Sequence, residues 1–185
     1  MIEHWMSTRI SKIGDYKIFS LFEHERNHPL LPDKHGIFYT LDSPSWVNII
    51  PITSDNKVVM VQQFRHGINR TTLEVPGGLV EFSEEPKNAG MRECLEETGY
   101  SSNEDSIFLG ETHPNPAFLT NSCYCYIWKN CNKIMEQQLD SNEDINVVEV
   151  PLSDISGLIL SGEIQHSLVL SAFTYYWLRF GMATI

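Results

Sequence analysis

No apolar run in this sequence approaches the ~20 residues of a membrane span, and its opening, MIEHWMSTRI, lacks the apolar core of a secretion signal. A membrane protein is not expected; a cytoplasmic, reduced one is. Cysteines are few. Cys94, Cys123, Cys125 and Cys131 include no C-x-x-C pair, so they read as small apolar core thiols, with Cys123 and Cys125 facing one side of a shared strand. Cys94 has no His or basic neighbour suited to activating a thiol. The seven histidines show neither H-x-x-x-H nor H-E-x-x-H spacing, which argues against zinc. Basic residues are scarce: 13 Lys and Arg face 24 Asp and Glu, for a net charge of −11. A nucleic-acid partner is not expected, because its binding surface would show a basic patch. An anionic substrate would need metal ions to neutralise it. There are no internal repeats, no low-complexity segment and no Walker-type phosphate loop.

What remains is a chain of 185 residues, 42% hydrophobic and 20% charged, enough for one domain with a small appendage. YKIFSLFEHER and GIFYTLD, between Tyr16 and Asp42, read as extended strands punctuated by Pro29, Pro32 and Gly36. WVNIIPIT and KVVMVQQFR form a hairpin about Asp55-Asn56. TTLEV follows as a short strand that ends in a tight turn at Pro76-Gly77-Gly78. Ser83 is placed to cap the next helix and Pro86 suits its first turn. Glu84 and Glu85 complement its positive end, and Gly99 closes it in the left-handed conformation. Gly90 inside the helix implies close packing against a sheet. SIFLGETH, SCYCYIWKN and INVVEVPL supply further strands, 153–161 a short helix ended by Gly162, and 167–180 a packed terminal helix. The class is α/β.

The segment from Gly78 to Tyr100 carries the chemistry. At about 100° per helical residue, Glu93 and Glu97 lie about 40° apart, with Glu96 about 60° to the other side of Glu93. An acidic run on a helix is usually a solvated face. Three carboxylates so close raise one another's pKa values unless a cation sits among them, and oxygen-only ligands favour a hard ion such as Mg²⁺.

Gly78, Glu84, Arg92, Glu93, Glu96, Glu97 and Gly99 stand without a gap at the spacing of the Nudix box, and the chain resembles that family. The resemblance implies a Nudix-type α/β/α sandwich with a mixed sheet over 43–185. It also implies an N-terminal region of antiparallel β-strands over 1–42 that forms a homodimer. It implies a hydrolase that cleaves a nucleoside diphosphate linked to another group. Glu93 and Glu97 would bind Mg²⁺, with Mn²⁺ as a substitute, Glu96 would be a third ligand or hold a metal-bound water, and the Gly77 carbonyl would complete the set. Arg92 would orient a carboxylate of the box, and Glu84 would play a supporting role.

The run from Trp46 through Arg65 to L-E-V-P-G-G-L-V-E, with Pro116 in H-P-N-P-A-F, resembles the ADP-ribose and nucleotide-sugar pyrophosphatase branch. P-N-P-A departs from the branch's usual Ser-Pro-Gly. By that resemblance Arg65 contacts phosphate or ribose, Glu74 the sugar hydroxyls, and Pro116 lines the cleft. Tyr16, Phe19, Phe38 and Trp46 are candidates to stack on the base, and His66 and His113 adjoin cleft segments. The general base would come from the acidic loop 140–145. Glu143 is the first choice, with Asp144 and Asp140 behind it; if Ser141 occupies the position of the glutamate that acts as base in some relatives, Glu93 or Glu96 would serve instead. The expected substrate is ADP-ribose or a related nucleoside diphosphate sugar. GDP-mannose, a dinucleoside polyphosphate and a non-catalytic nucleotide-sugar sensor are the alternatives.

Overall fold

A computed structural model of the chain describes residues 2–181. They form two compact units. One comprises the chain up to Pro44 together with His113–Asn121, the other Ser45–Thr112 and the chain from Ser122 onward.

The first unit is an antiparallel sheet of β1 (Met6–Asp15), β2 (Ser20–His28) and β3 (Leu31–Asp42) in that spatial order. The sequence reading missed β1 and started β2 too early. The side chains of β1 are nearly all exposed, and its register slips between Ser7 and Arg9 and between Lys12 and Gly14, so no period-two pattern survives. Pro32 and Gly36, read as breaks, lie inside β3. This strand is at the edge of its sheet, and Pro32 falls in the irregular stretch between the pairings of Leu31 and His35, where no ladder donor is needed. The 113–121 segment bridges to β3 at Leu41 and Leu119. Its turn is closed by Asn115, whose carbonyl accepts from the Leu119 N–H at 2.8 Å and whose Oδ1 accepts from the Ala117 N–H at 3.3 Å.

The second unit is an α/β/α sandwich. Its strands are β4 (Trp46–Thr53), β5 (Lys57–Arg65), β6 (Arg70–Glu74), β7 (Gly77–Leu79), β8 (Tyr100–Ser101), β9 (Ile107–Thr112), β10 (Cys123–Lys133) and β11 (Ile145–Pro151). The central order is β11-β5-β4-β10-β8, with β6 on β5, β7 on β4 and β9 on β10. Only β4 and β10 pair in parallel, so the sheet is mixed. The expected hairpin is present, with Asn56 at φ 59° in its turn.

Strand alternation sorts the core. Val47 and Ile49 of β4, with Tyr126 and Trp128 of β10, pack on helix α1 (Pro86–Thr98) through Ala89 and Cys94. Ile50, Ile52, Cys125 and Ile127 face the other way. They pack with Ile155 of α2 (Ile155–Leu160) and with Val169, Ala172 and Phe173 of α3 (Ser167–Phe180). All four cysteines are buried and free, as core thiols should be. Gly90 lets α1 approach the sheet: a Cβ there would meet Val47 Cγ2 at 3.0 Å.

Two local readings are corrected. Ser83 does not cap α1; it has φ 66°, and Glu85 takes the cap position with no side-chain hydrogen bond. Gly77-Gly78 is not merely a turn but opens β7, paired with Asn48 and Val47. Pro86 and Gly99 stand at the two ends of α1 as expected, with Gly99 at φ 75° and its N–H on the Leu95 carbonyl at 2.8 Å.

Phe173 is wholly buried between α3 and the sheet. Phe173→Ala should therefore lower unfolding free energy by about 3–5 kcal/mol in urea denaturation; a loss below ~1 kcal/mol would contradict the packing described.

Candidate active site

The site is built where α1 crosses β7. Its organiser is Arg92. Nε and Nη2 each donate at 3.0 Å to the two oxygens of Glu84, Nη1 donates to Glu93 at 2.9 Å and Glu96 at 3.0 Å, and Nη2 also reaches the Leu79 carbonyl at 3.2 Å. The fork geometry of a guanidinium allows this sharing. Arg92 is held more firmly protonated than usual, first by the Glu84 hydrogen bonds. Glu84, lowered by Arg92, also accepts from the Glu81 N–H at 3.2 Å, so it ties the loop before α1 to the helix rather than serving the helix dipole.

Glu97 projects toward β7. It is 4% exposed, and its carboxylate accepts from the Gly77 N–H at 3.0 Å. Burial pushes its pKa up to about 8, with Glu93 and Glu143 adding repulsion. Glu93 is also raised, by burial first, despite Arg92. The glycines make this approach possible. A Cβ on Gly78 would lie 2.4 Å from the Glu93 carboxylate, and one on Gly77 would lie 2.2 Å from the Val47 carbonyl.

Among the described residues, no three His, Cys, Asp or Glu side chains gather as a ready-made metal cluster; Arg92 and the Gly77 N–H hold the glutamates instead. The donor chemistry nevertheless fits a hard dication. The groups are oxygen-only: Glu97 is buried and Glu93 partly buried, and desolvation raises the pKa of both, so a cation among them would offset the cost of their charge.

Arg65 and Glu74 are brought together. Nε and Nη2 of Arg65 donate to the two Glu74 oxygens, each at 2.8 Å, and Thr72 Oγ1 donates to Oε1 at 2.5 Å. Burial opposes ionisation of Glu74, but Arg65 holds its pKa below the ordinary value. Both Glu74 oxygens are thus engaged, and Glu74 fixes the orientation of Arg65. Arg65 is the exposed partner of the pair, at 41% of its side chain against 3% for Glu74.

Glu143 sits in a closed turn, where its N–H donates to the Asp140 carbonyl at 2.9 Å and its carboxylate accepts from the Asp140 N–H at 3.0 Å. Its charge contributes, after larger causes, to the raised pKa values of Glu93, Glu97 and Arg65. Trp46 opens β4 opposite Leu79. Pro116 belongs to the first unit, as do Tyr16, exposed at a loop, and Phe38, edge-on to Trp5.

Two residues escaped the sequence reading. His166 precedes α3 and sets Nδ1 3.8 Å from Glu74 Oε2, with its pKa lowered chiefly by burial. Gln137 donates its amide to the carbonyls of Glu97 and Ile145 at 2.6 and 3.0 Å. Neither stands in a motif or periodic pattern, so no local signal marks them.

The NUDIX domain model matches residues 43–173, and the chain belongs to the Nudix family. It is 31% identical over 137 residues to an ADP-ribose pyrophosphatase of Bacillus subtilis (strain 168), covering 74% of each chain. Identity and coverage are the same for a methanol dehydrogenase activator of Bacillus methanolicus. An ADP-ribose pyrophosphatase of Mycobacterium tuberculosis (strain ATCC 25618 / H37Rv) is 24% identical over 127 residues, 68% of this chain and 61% of that one. A crystal structure of an ADP compounds hydrolase superposes with a TM-score of 0.83, covering 97% of this chain and 96% of that one at 18% identity, a likeness of fold. The protein is a Nudix hydrolase that resembles ADP-ribose pyrophosphatases. Among the described residues, no helix is long and apolar enough to cross a membrane.

The two glycines should respond differently to alanine. Gly78→Ala meets the end of the Glu93 side chain rather than backbone, so it should leave the melting temperature within a few degrees while displacing that carboxylate and cutting hydrolysis by ~10²-fold. Gly77→Ala meets backbone and should destabilise the fold outright. Equal melting and equal turnover for both variants would contradict the close approach described.

Proposed function

We propose that the protein hydrolyses the pyrophosphate of ADP-ribose or a related nucleoside diphosphate sugar, giving a nucleoside monophosphate and a sugar phosphate, with Mg²⁺ as its cofactor. The observation that carries this reading is the buried Glu97 carboxylate, held on the Gly77 N–H one helical turn from Glu93, where a bound cation would offset the cost of its charge. Its surroundings and the ADP-ribose pyrophosphatase relatives support it.

Glu93 and Glu97 would hold the metal, with Glu96 and the Gly77 carbonyl as further donors. Bound there, Mg²⁺, or Mn²⁺ in its place, would neutralise phosphate charge and make water a better nucleophile. Arg92 keeps Glu93 and Glu96 turned to one side of α1. Arg65, aligned by Glu74, binds a phosphate oxygen through N–H groups outside that ion pair. Glu143 takes the proton of the attacking water as the new phosphorus–oxygen bond forms and the bridging bond breaks. Ile37 and Tyr39, exposed on one face of the first unit's sheet, support a homodimer formed through that sheet.

A panel of ADP-ribose, other nucleotide sugars such as GDP-mannose, and dinucleoside polyphosphates, each with Mg²⁺, tests the substrate. Release of AMP from ADP-ribose is expected. Preferential turnover of another compound would replace that substrate, and binding without release would make the protein a sensor. Loss of a group that merely supports a metal ligand costs 10–100-fold, so Glu97→Gln should cost ~10²-fold or more while the fold remains. Full activity in that variant would contradict the metal assignment.

Proton linkage gives a second, independent check. Glu97 has an ordinary pKa of 4.5 and a folded value of about 8. Between these values the folded protein holds a proton that the unfolded chain has lost. Stability without metal therefore declines as pH rises through this window. A cation competes with that proton, so Mg²⁺ should raise the melting temperature more at about pH 8 than at about pH 5. Equal shifts at both pH values would count against Glu97 as ligand.

A further inference from the structure

We propose that Gln137 is a positioning residue whose side-chain amide fixes the loop carrying Glu143 against the helix that carries the box glutamates. This rests on the reading of Glu143 as general base.

The geometry is specific. The amide nitrogen of Gln137 donates to the Glu97 carbonyl at 2.6 Å and to the Ile145 carbonyl at 3.0 Å. Two carbonyl acceptors require the two hydrogens of an NH₂ group, so the amide oxygen cannot take this place. Glu97 is in the last turn of α1, where carbonyls have no partner within the helix. The neighbouring residue continues the contact, with the Gln138 N–H on the Glu96 carbonyl at 2.8 Å. Ile145 is the first residue of β11, paired with Gln63 of β5.

One side chain therefore joins both ends of the 138–144 loop at the C-terminal end of α1. Farther back, the chain is held by the Ile134 N–H on the Gly99 carbonyl at 2.8 Å. Gly99 is crowded against this segment, since a Cβ would lie 2.0 Å from the Met135 carbonyl. Between the anchors the Asp140–Glu143 turn closes on itself through its two hydrogen bonds. The loop is thus a small closed unit, and the Gln137 staple is its side-chain link to the residues of the box. The backbone of Glu97 receives the staple while its carboxylate is held on Gly77, so one residue sets both the proposed metal ligand and the position of the proposed base.

Gln137→Met keeps the length and removes the donors. Its effect is read in the wild-type and Glu143→Gln backgrounds, with the preferred substrate and Mg²⁺. Glu143→Gln alone should lower kcat by ~10²-fold. Gln137→Met alone should lower kcat by about tenfold with little change in KM, as expected for a displaced catalytic group. In the Glu143→Gln background it should change kcat by less than about twofold, because the group it positions is already gone. Hydrogen exchange of the 139–144 amides should quicken in Gln137→Met while the amides of α1 stay protected. An equal kcat loss in both backgrounds, or none in the wild type, would overturn the positioning role and leave the general base standing. Near-full activity of Glu143→Gln would overturn the general base, and with it the role of Gln137.

Discussion

Arg92 holds together groups that would otherwise repel one another. Its guanidinium lies among the carboxylates of Glu84, Glu93 and Glu96 and bonds to the Leu79 carbonyl as well. Carboxylates this close repel one another unless they take up a proton or share a cation. Arg92 supplies one permanent positive charge, and its planar fork joins the loop before α1 to the helix itself. Removing one partner from such a partly buried cluster leaves the others unpaired and costs far more than an exposed ion pair is worth.

That cluster depends on how closely α1 can approach the sheet. Gly90 brings the helix onto Val47 and Ile49, while Gly77 and Gly78 bring β7 under the glutamates. Side chains at these positions would hold the carboxylates off. The approach desolvates Glu93 and Glu97 and raises both pKa values, Glu97 to about 8. Packing that stabilises the core therefore also stores, in those glutamates, the tendency to take up a proton or a metal ion. The core is ordinary in chemistry: aliphatic strands, four buried thiols and Phe173 on the opposite face.

Much of the second unit was legible because its signals are local. Pro86 and Gly99 mark the ends of α1, Asp55-Asn56 marks the hairpin turn, and the apolar run 167–180 coincides with α3. The failures have physical causes. β1 is exposed and bulged, so it lacks the alternation that betrays a strand. Pro32 and Gly36 read as breaks because sequence does not reveal that β3 is an edge strand. Ser83 has the chemistry of a cap, but the Glu84–Arg92 pair governs that loop, and Ser83 takes a left-handed conformation.

The sequence alone determined the box, its spacing along a helix and the family it resembles, because residues three and four apart on a helix share a face wherever that helix lies. It could not determine which carboxylate would be buried, since desolvation comes from what packs on top. Nor could it show that Glu74 serves Arg65, that His166 stands behind that pair, or that Gln137 joins Glu97 to Ile145. Gln137 lies 40 residues from Glu97 in the chain, and only the closing of the sheet brings their polar groups within hydrogen-bond distance.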